Sequence, residues 1–173
     1  MNSAEAWTLE YFIELVLFIL PAYVSNAFPV IVYRFSPWRK PLDFGRRFFD
    51  GKRILGDHKT IDGFIGGVLM GILTSYVLSL IGYHDILKGA VLSIGAMVGD
   101  TLGSFVKRRL NLPPGSSLPL VDQLSFILFA LLVYGAIWGI NALSFIILLL
   151  LTFPLHIATN FIAYLLKLKS TPF

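Results

Sequence analysis

The polar residues best suited to chemistry lie within residues 99–109, at the end of an apolar run. Asp100, Ser104 and Lys107 are spaced i, i+4 and i+7, so a helix would place all three on one face. A carboxylate inside an apolar run is costly unless it is paired or binds a cation. Asp100 is therefore predicted to be functional. The alternative is a contact with Lys107 or Ser104 that only holds the helices together.

A second acid, Asp122, follows a segment at residues 112–119 that is rich in proline, glycine and serine. Proline and glycine make this segment a turn rather than a helix, and Asp122 then opens the next apolar run. Plain helix capping is one interpretation of an acid in that place. In the other, the turn returns the chain beside Asp100, and the two carboxylates form an oxygen-ligand site suited to Mg²⁺.

A third polar group is a basic, glycine-bearing segment that leads into another apolar run. Its residues include Arg46, Lys59, Thr60 and Asp62. Cationic side chains and glycines at the start of a helix suit an anion. The alternative is a juxtamembrane loop that binds anionic lipid head groups, which explains Arg34 and Arg39 better than it explains Lys59 and Thr60.

Five apolar runs must position these polar residues. The chain is 56% hydrophobic and only 14% charged, against about 25% charged residues in an ordinary soluble domain. Each run is close to the ~20 residues needed to cross a bilayer, and none alternates as barrel strands do. We therefore predict an all-α integral membrane protein, a single membrane domain over residues 1–173, with five transmembrane helices at about residues 9–33, 64–82, 86–105, 124–140 and 142–166.

Positive charge predicts the orientation of these spans. Thirteen of the 14 lysines and arginines follow the first span, the third span or the fifth, and only Lys88 falls on the other side. By the positive-inside rule the N-terminus is outside and the C-terminus cytoplasmic, with two cytoplasmic active-site loops at about residues 34–62 and 106–121. The first charged residues are acidic, so the first span is not expected to be a signal peptide.

The same pattern excludes several classes of partner and site. The sequence pI of about 9.4 could suggest a nucleic acid, but the basic residues are confined to segments between membrane spans. We therefore expect a multi-pass protein of the cell membrane with no nucleic-acid partner. The chain has no cysteine, which excludes disulfides and thiolate metal sites.

Two glycine stripes and one polar stripe favour packing roles. Glycines recur every four residues at 63, 67 and 71 and at 95, 99 and 103, and such spacing lets helices approach closely in lipid. We expect them to pack the second and third spans together. His156 and Asn160, four residues apart on the fifth span, are interpreted as hydrogen-bonded polar residues of the bundle rather than catalytic groups.

Two strings of residues resemble the signature of the phosphatidate cytidylyltransferases, the CDP-diacylglycerol synthases. The longer one comprises Gly99-Asp100, Ser104, Lys107-Arg108, Pro114-Gly115 and Asp122. The other comprises Gly45-Arg46, Lys59-Thr60, Asp62-Gly63 and Gly66-Gly67. The resemblance covers about residues 45–125, and the short five-span form is similar to the archaeal branch, the CDP-archaeol synthases. That branch makes CDP-2,3-di-O-geranylgeranylglycerol from CTP and unsaturated archaetidic acid.

The resemblance implies roles for individual residues. The catalytic residues would be Asp100, Ser104, Lys107 and Asp122, with Mg²⁺ as cofactor held by Asp100 and Asp122. CTP and its phosphates would bind to Arg46, Lys59, Thr60, Asp62, Arg108 and Gly115. The chain departs from the family pattern after Asp122, where an arginine and a further aspartate are missing, so only one metal ion has a clear pair of ligands. CTP and a lipid phosphate in the bilayer are the implied partners.

Three other functions are considered for this chain. The first stays open, and the other two are disfavoured. A CDP-diacylglycerol synthase would act on phosphatidic acid, and the residues do not distinguish isoprenoid ether from acyl ester tails. A CDP-alcohol phosphotransferase is disfavoured, because the run of acids that it needs does not follow Asp62-Gly63. A small ion-binding transporter would carry acids towards both membrane faces, whereas Asp57, Asp62, Asp100 and Asp122 gather on one predicted side.

Overall fold

The computed structural model of the protein describes residues 9–113, 116, 118 and 120–167. Within these residues the chain forms five helices: α1 (Leu9–Phe35), α2 (Ile61–Leu80), α3 (Ile86–Arg109), α4 (Val121–Trp138) and α5 (Ala142–Leu165). All five are long and apolar enough to cross a membrane. The predicted all-α fold and its five spans are confirmed, with ends that differ by at most four residues.

Short polar side chains set where three of these helices begin. Thr60 adopts an extended backbone, and its hydroxyl accepts a hydrogen bond from the N–H of Gly63 at the start of α2. Asp85 caps α3 and Asn141 caps α5 in the same way. Each cap satisfies a backbone donor that the first helical turn leaves without a partner. The helix α2 therefore begins three residues before the predicted span.

The helix α3 lies at the centre of the bundle. It packs against α1, α2 and α4, while α5 packs mainly on the outer side of α4. The buried core includes Ile19, Leu92, Phe126, Leu131 and Leu148, which come from α1, α3, α4 and α5. This arrangement places the polar end of α3 between the starts of α2 and α4.

The two glycine stripes are expected to pack the second and third spans together, but they also contact other helices. A Cβ at Gly63 would lie 3.4 Å from the Cβ of Pro29 on α1, and one at Gly95 would lie 2.8 Å from the Cα of Ala130 on α4. A Cβ at Gly71 would clash with the Oγ of Ser25 on α1 and with that of Ser93 on α3. The stripe on α2 therefore lets α2 approach both α1 and α3, as expected in part, and the stripe on α3 lets α3 approach α4. The spacing of the glycines correctly predicts that another helix approaches closely. It does not identify which helix, because a stripe of glycines can accommodate any neighbouring helix.

The loop between α1 and α2 folds into two stacked hairpin turns. At its base, the N–H of Leu42 bonds the carbonyl of Lys59 at 2.7 Å, and the N–H of Ile61 bonds that of Lys40 at 2.9 Å. Further out, the N–H of Phe48 bonds the carbonyl of Lys52 at 2.8 Å. The ordered base delivers Lys59 and Thr60 to the inner end of the bundle.

Candidate active site

The predicted acids lie at one end of the bundle, where the loop base meets the last turns of α3. A narrow cleft there is lined by Pro29 of α1, Lys59 and Thr60 at the start of α2, and Met97 and Asp100 of α3. Most of the loop cations lie at this same end. The structure therefore brings two sequence-distant predicted residues, Lys59 and Asp100, into direct contact.

Asp100 forms an ion pair with Lys59, its Oδ2 accepting from the Lys59 ammonium group. Both side chains keep part of their surface accessible, 21% for Asp100 and 27% for Lys59. The alternative interpretation of the sequence is a packing contact of Asp100 with Lys107 or Ser104. The charged partner of Asp100 in the structure is Lys59 instead. Lys59 is 41 residues away along the chain, so no periodicity within one helix could identify it.

Asp122 forms the second lysine–aspartate pair. The Nζ of Lys107 donates to its Oδ1 at 2.5 Å and to the carbonyl of Ser116 at 3.3 Å. Its Oδ2 accepts from the N–H of Leu118 at 2.8 Å. The residue that caps α4 is Leu120, so Asp122 is not the helix cap that one interpretation proposed. Instead it ties the turn before α4 to the end of α3.

Arg108 lies on the same face of α3 as Asp100 and Ser104, at i, i+4 and i+8. It is 94% buried and Ser104 is buried as well. Its Nε and Nη1 have no hydrogen-bond partner among the described residues. A buried guanidinium with unused donors is costly and suits an anion that could occupy them, such as a phosphate.

The other predicted phosphate ligands have different surroundings. Thr60 is buried, its oxygen caps α2, and its hydroxyl lies near the carboxylate of Asp62. Arg46 is exposed on the outer hairpin rather than in the cleft. Gly115 lies outside the described residues, as do Pro114 and Lys169.

Asp62 is predicted to bind phosphate, but it does not line the cleft. It lies near the hydroxyls of Ser36, which follows α1, and of Thr60. Both of its carboxylate oxygens are buried and have no well-aligned hydrogen-bond donor among the described residues. An anion does not bind phosphate directly, so this environment gives Asp62 no evident contact with a nucleotide.

One organising residue, Asp43, was missed by the sequence reasoning. Its carboxylate accepts from the Nη2 of Arg53 at 2.9 Å and from its Nε at 3.3 Å. It also accepts three backbone N–H groups, those of Gly45 at 3.0 Å, Leu55 at 2.9 Å and Gly56 at 3.2 Å. The available signal was the Asp43–Gly45 spacing, which is typical of a turn in which aspartate bonds the backbone two residues on.

These bonds change the acidity of Asp43. Burial by itself raises the pKa of a carboxyl, but the Arg53 guanidinium and the three backbone N–H donors outweigh it and lower the pKa of Asp43 to about 2. The same ion pair, with a second one to Asp57 at 2.8 Å, raises the pKa of Arg53. Asp43 is therefore a structural acid that holds the loop in shape.

The two lysine-paired aspartates at this end of the bundle can be compared with what a Mg²⁺ site requires. In the part of the chain that the structure describes, no cluster of three or more acids or histidines is placed to hold a metal. Mg²⁺ usually keeps several waters and binds one or two carboxylates together with substrate phosphates. Asp100 and Asp122 offer hard oxygen ligands of that kind, each paired with a lysine.

His156 and Asn160 bond each other, as the interpretation of paired bundle residues predicts. The Nδ1 of His156 and the Nδ2 of Asn160 are 3.1 Å apart. His156 is buried, and its ring lies 5.8 Å from that of Phe126 on α4. The pair therefore has a packing role between α4 and α5.

Comparisons with known proteins agree with one another. The family model for CarS-like CDP-archaeol synthases matches residues 8–173. A CDP-archaeol synthase of Methanopyrus kandleri is 45% identical over 160 residues, 90% of each chain. Those of Thermofilum pendens and Pyrococcus furiosus are 42% and 41% identical, over 90% and 92% of this chain and 78% and 97% of their own. A solved intramembrane enzyme for archaeal membrane lipids biosynthesis has a TM-score of 0.76 and 34% identity, covering 88% of this chain and 94% of that one.

Proposed function

This chain belongs to the CDP-archaeol synthase family, membrane cytidylyltransferases of archaeal lipid biosynthesis, and from that premise we propose how its residues act. The chain transfers CMP from CTP to 2,3-di-O-geranylgeranylglyceryl phosphate and releases pyrophosphate. Asp100 and Asp122 would hold Mg²⁺, which neutralises negative charge on phosphate oxygens when bound. The cleft faces the cytoplasm, in keeping with the positive-inside rule and with the cations gathered at its end.

The reaction needs alignment more than acid–base chemistry. An oxygen of the lipid phosphate attacks the α-phosphorus of CTP, and the bond from that phosphorus to the bridging oxygen of pyrophosphate breaks. The second pKa of a phosphate monoester is near ~6, so the nucleophile is already ionised at neutral pH. The remaining barrier is the approach of two anions, which positive charge and fixed orientation lower.

The buried guanidinium of Arg108 is the observation that carries the proposal. Its Nε and Nη1 are unused donors at the end of α3, on the face that carries Asp100. Phosphate oxygens would satisfy both donors, and a guanidinium binds them with better-defined geometry than an ammonium. Arg108 would therefore orient a phosphate beside the two aspartates.

Lys59 and Lys107 would change partners as substrate binds. In the structure each ammonium is paired with one aspartate. The triphosphate of CTP would attract both lysines away from these aspartates, which would leave the two carboxylates to hold a cation. Lys59 and Lys107 would then hold the β- and γ-phosphates, which become the leaving pyrophosphate. Ser104, which is buried and lies between Asp100 and Arg108 along the helix, would donate to a phosphate oxygen.

Incorporation of labelled CTP into lipid tests this function. The purified protein is given Mg²⁺, CTP and either an isoprenoid ether or an acyl ester lipid phosphate. We expect labelled product with the ether lipid and much less with the ester. Equal use of both would contradict the assignment to archaeal lipid, and no product with either would contradict the transferase.

A pair of arginine variants tests the role of Arg108. Arg108→Gln is expected to lower kcat/KM about 100-fold, because a neutral amide cannot replace a bidentate charged donor. Arg34→Gln is the matched control, since Arg34 is an exposed arginine at the end of α1. Equal activities of the two variants would remove Arg108 from the site. Thermal stabilisation by CTP with Mg²⁺ but not by ATP would show nucleotide selectivity separately from turnover.

A further inference from the structure

The outer hairpin at residues 46–54 lies away from the cleft, on the far side of α3. Its two arms are joined by the bond from Phe48 N–H to the Lys52 carbonyl and by one of 3.1 Å from Ile54 N–H to the Arg46 carbonyl. We call this segment the 46–54 hairpin. None of its residues lines the cleft, and the proposed reaction uses none of them.

Aromatic and ionic contacts fix the hairpin to the last turns of α3. The rings of Phe48 and Phe105 meet edge to face, with centroids 5.3 Å apart. The Arg109 guanidinium lies 4.9 Å from the centroid of the Phe48 ring and 4.8 Å from that of Phe105. Arg109 also bonds Asp50 at 3.0 Å, and Lys52 bonds the Arg109 carbonyl at 3.0 Å. The hairpin is therefore held in one position relative to the bundle.

The side of α3 that the hairpin covers also carries exposed apolar side chains. Leu102 and Val106 flank Phe105 and are 43% and 42% exposed. Exposed apolar side chains on a membrane-spanning helix contact lipid chains. In a bilayer the hairpin would therefore lie where the hydrocarbon ends, at the level of the final turn of α3.

The tip of the hairpin carries one fully exposed aromatic ring, and its arms are cationic. Phe49 is 99% exposed, whereas its neighbour Asp50 is paired with Arg109. Arg46, Arg47 and Lys52 lie within the same nine residues and are exposed or half-buried. Aromatic rings among lysines and arginines are typical of segments that lie at the membrane–water interface.

We propose that the 46–54 hairpin is an interfacial anchor that inserts Phe49 into the leaflet facing the cleft and binds anionic lipid head groups with its basic arms. A second copy of this chain is a poor fit for the same surface, because two such hairpins would bring like charges together. The chain runs from the end of the hairpin at Ile54 to Lys59, which lines the cleft. The anchor would therefore hold the mouth of the cleft at the level of the lipid head groups.

The chain has no cysteine, so a single introduced cysteine can be spin-labelled without background. Phe49→Cys is labelled in the full-length protein in nanodiscs of anionic or of neutral lipid. Asp57→Cys is the matched control, because Asp57 lies in the same loop with its side chain 65% exposed, outside the hairpin. Collision with oxygen, which concentrates in lipid, is compared with collision with a water-soluble nickel chelate.

We expect the oxygen-to-nickel collision ratio to be several-fold higher at position 49 than at position 57, and higher in anionic than in neutral nanodiscs. Equal ratios at the two positions would overturn the insertion, and equal ratios in the two lipids would overturn the role of the basic arms. Spin–spin broadening at position 49 that disappears on dilution with unlabelled protein would identify a second copy as the occupant instead. Circular dichroism of both labelled variants verifies that the helical fold is intact, and no outcome depends on CTP.

Discussion

Two sets of aspartates at the same end of the bundle differ in how completely they are bonded. Asp43 has no exposed side-chain surface and accepts from both ends of the Arg53 guanidinium and from three backbone N–H groups. Asp100 and Asp122 keep 21% and 28% of their side-chain surface accessible. Among the described residues each forms an ion pair with one lysine, and Asp122 is also near the charge of Arg108.

This difference separates a carboxylate that stabilises the fold from carboxylates that can exchange ligands. A guanidinium fork and backbone donors cannot leave Asp43 without unfolding the loop. The ammonium of Lys59 or Lys107 sits on a flexible stem and can turn to another anion at small cost. The number and kind of donors around a carboxylate, more than its charge or burial, therefore indicate which role it has.

Replacing an exchangeable acid should have the largest effect on turnover. Asp100→Asn is expected to lower kcat about 1,000-fold, because the amide cannot hold a cation against the phosphates. The melting temperature should change little, since the Lys59–Asp100 pair is partly exposed. Labelled-CTP incorporation and a thermal melt of the same preparation measure both quantities.

A near-normal rate of Mg²⁺-dependent CTP consumption by Asp100→Asn would contradict the assigned site. A large loss of thermal stability would instead place Asp100 with Asp43 among the structural acids. Either result would break the distinction drawn between the two sets.

Replacing the fully bonded acid should show the reverse pattern. The folded-state pKa of Asp43, about 2, lies below the ordinary value of 3.8, so protonation favours the unfolded loop. The stabilisation is complete above about pH 4 and is lost as the pH falls towards 2. Asp43→Asn should lose about 2 kcal/mol of local stability at neutral pH and show little further loss between pH 4 and 2.

Amide hydrogen exchange at Leu55 and Gly56 measures this loss directly, because both N–H groups donate to Asp43. Asp50→Asn is the control, because Asp50 lies on the 46–54 hairpin with its side chain 35% exposed. Unchanged protection of Leu55 in Asp43→Asn would show that Arg53 and the backbone do not depend on this carboxylate.

Removing an exchangeable lysine should have a smaller, substrate-specific effect. Lys107→Ala is expected to raise the KM for CTP about tenfold, equivalent to ~1.4 kcal/mol, through loss of one phosphate contact. Asp122 keeps the Leu118 N–H as a donor, so the turn should stay folded. Lys40→Ala is the control, because it removes an exposed cation from the loop between α1 and α2. An unchanged KM and kcat would remove Lys107 from the site.

The smallest effect is expected at Thr60, whose surroundings place it with the structural residues. Thr60→Ala removes the cap of α2 and should cost about 1 kcal/mol of stability, while Thr60→Ser should retain it. Thermal melts of the two variants measure the difference. A loss of activity in Thr60→Ala larger than its loss of stability explains would move Thr60 to the substrate-binding set.

Most of the candidate site could be identified from sequence, but its pairing could not. Asp100, Ser104 and Lys107 lie on one face of α3, as their i, i+4, i+7 spacing predicts. This spacing does not show that Asp100 pairs with Lys59, because that contact depends on how the loop base is held against α3. Arg108 was predicted as a phosphate ligand only through a family resemblance, and its burial with unused donors becomes visible only in the fold.

The sequence alone determined five membrane-crossing helices, the clustering of charge at their connections and the family to which the chain belongs. In lipid a spanning segment has few options besides a helix, and the length of each apolar run indicates the length of its helix. Tertiary structure alone decided which helices the glycines join, which lysine meets which acid and that Asp43 organises the loop. Those contacts join residues far apart in the chain, and their energy depends on distances and donor geometry that local periodicity does not encode.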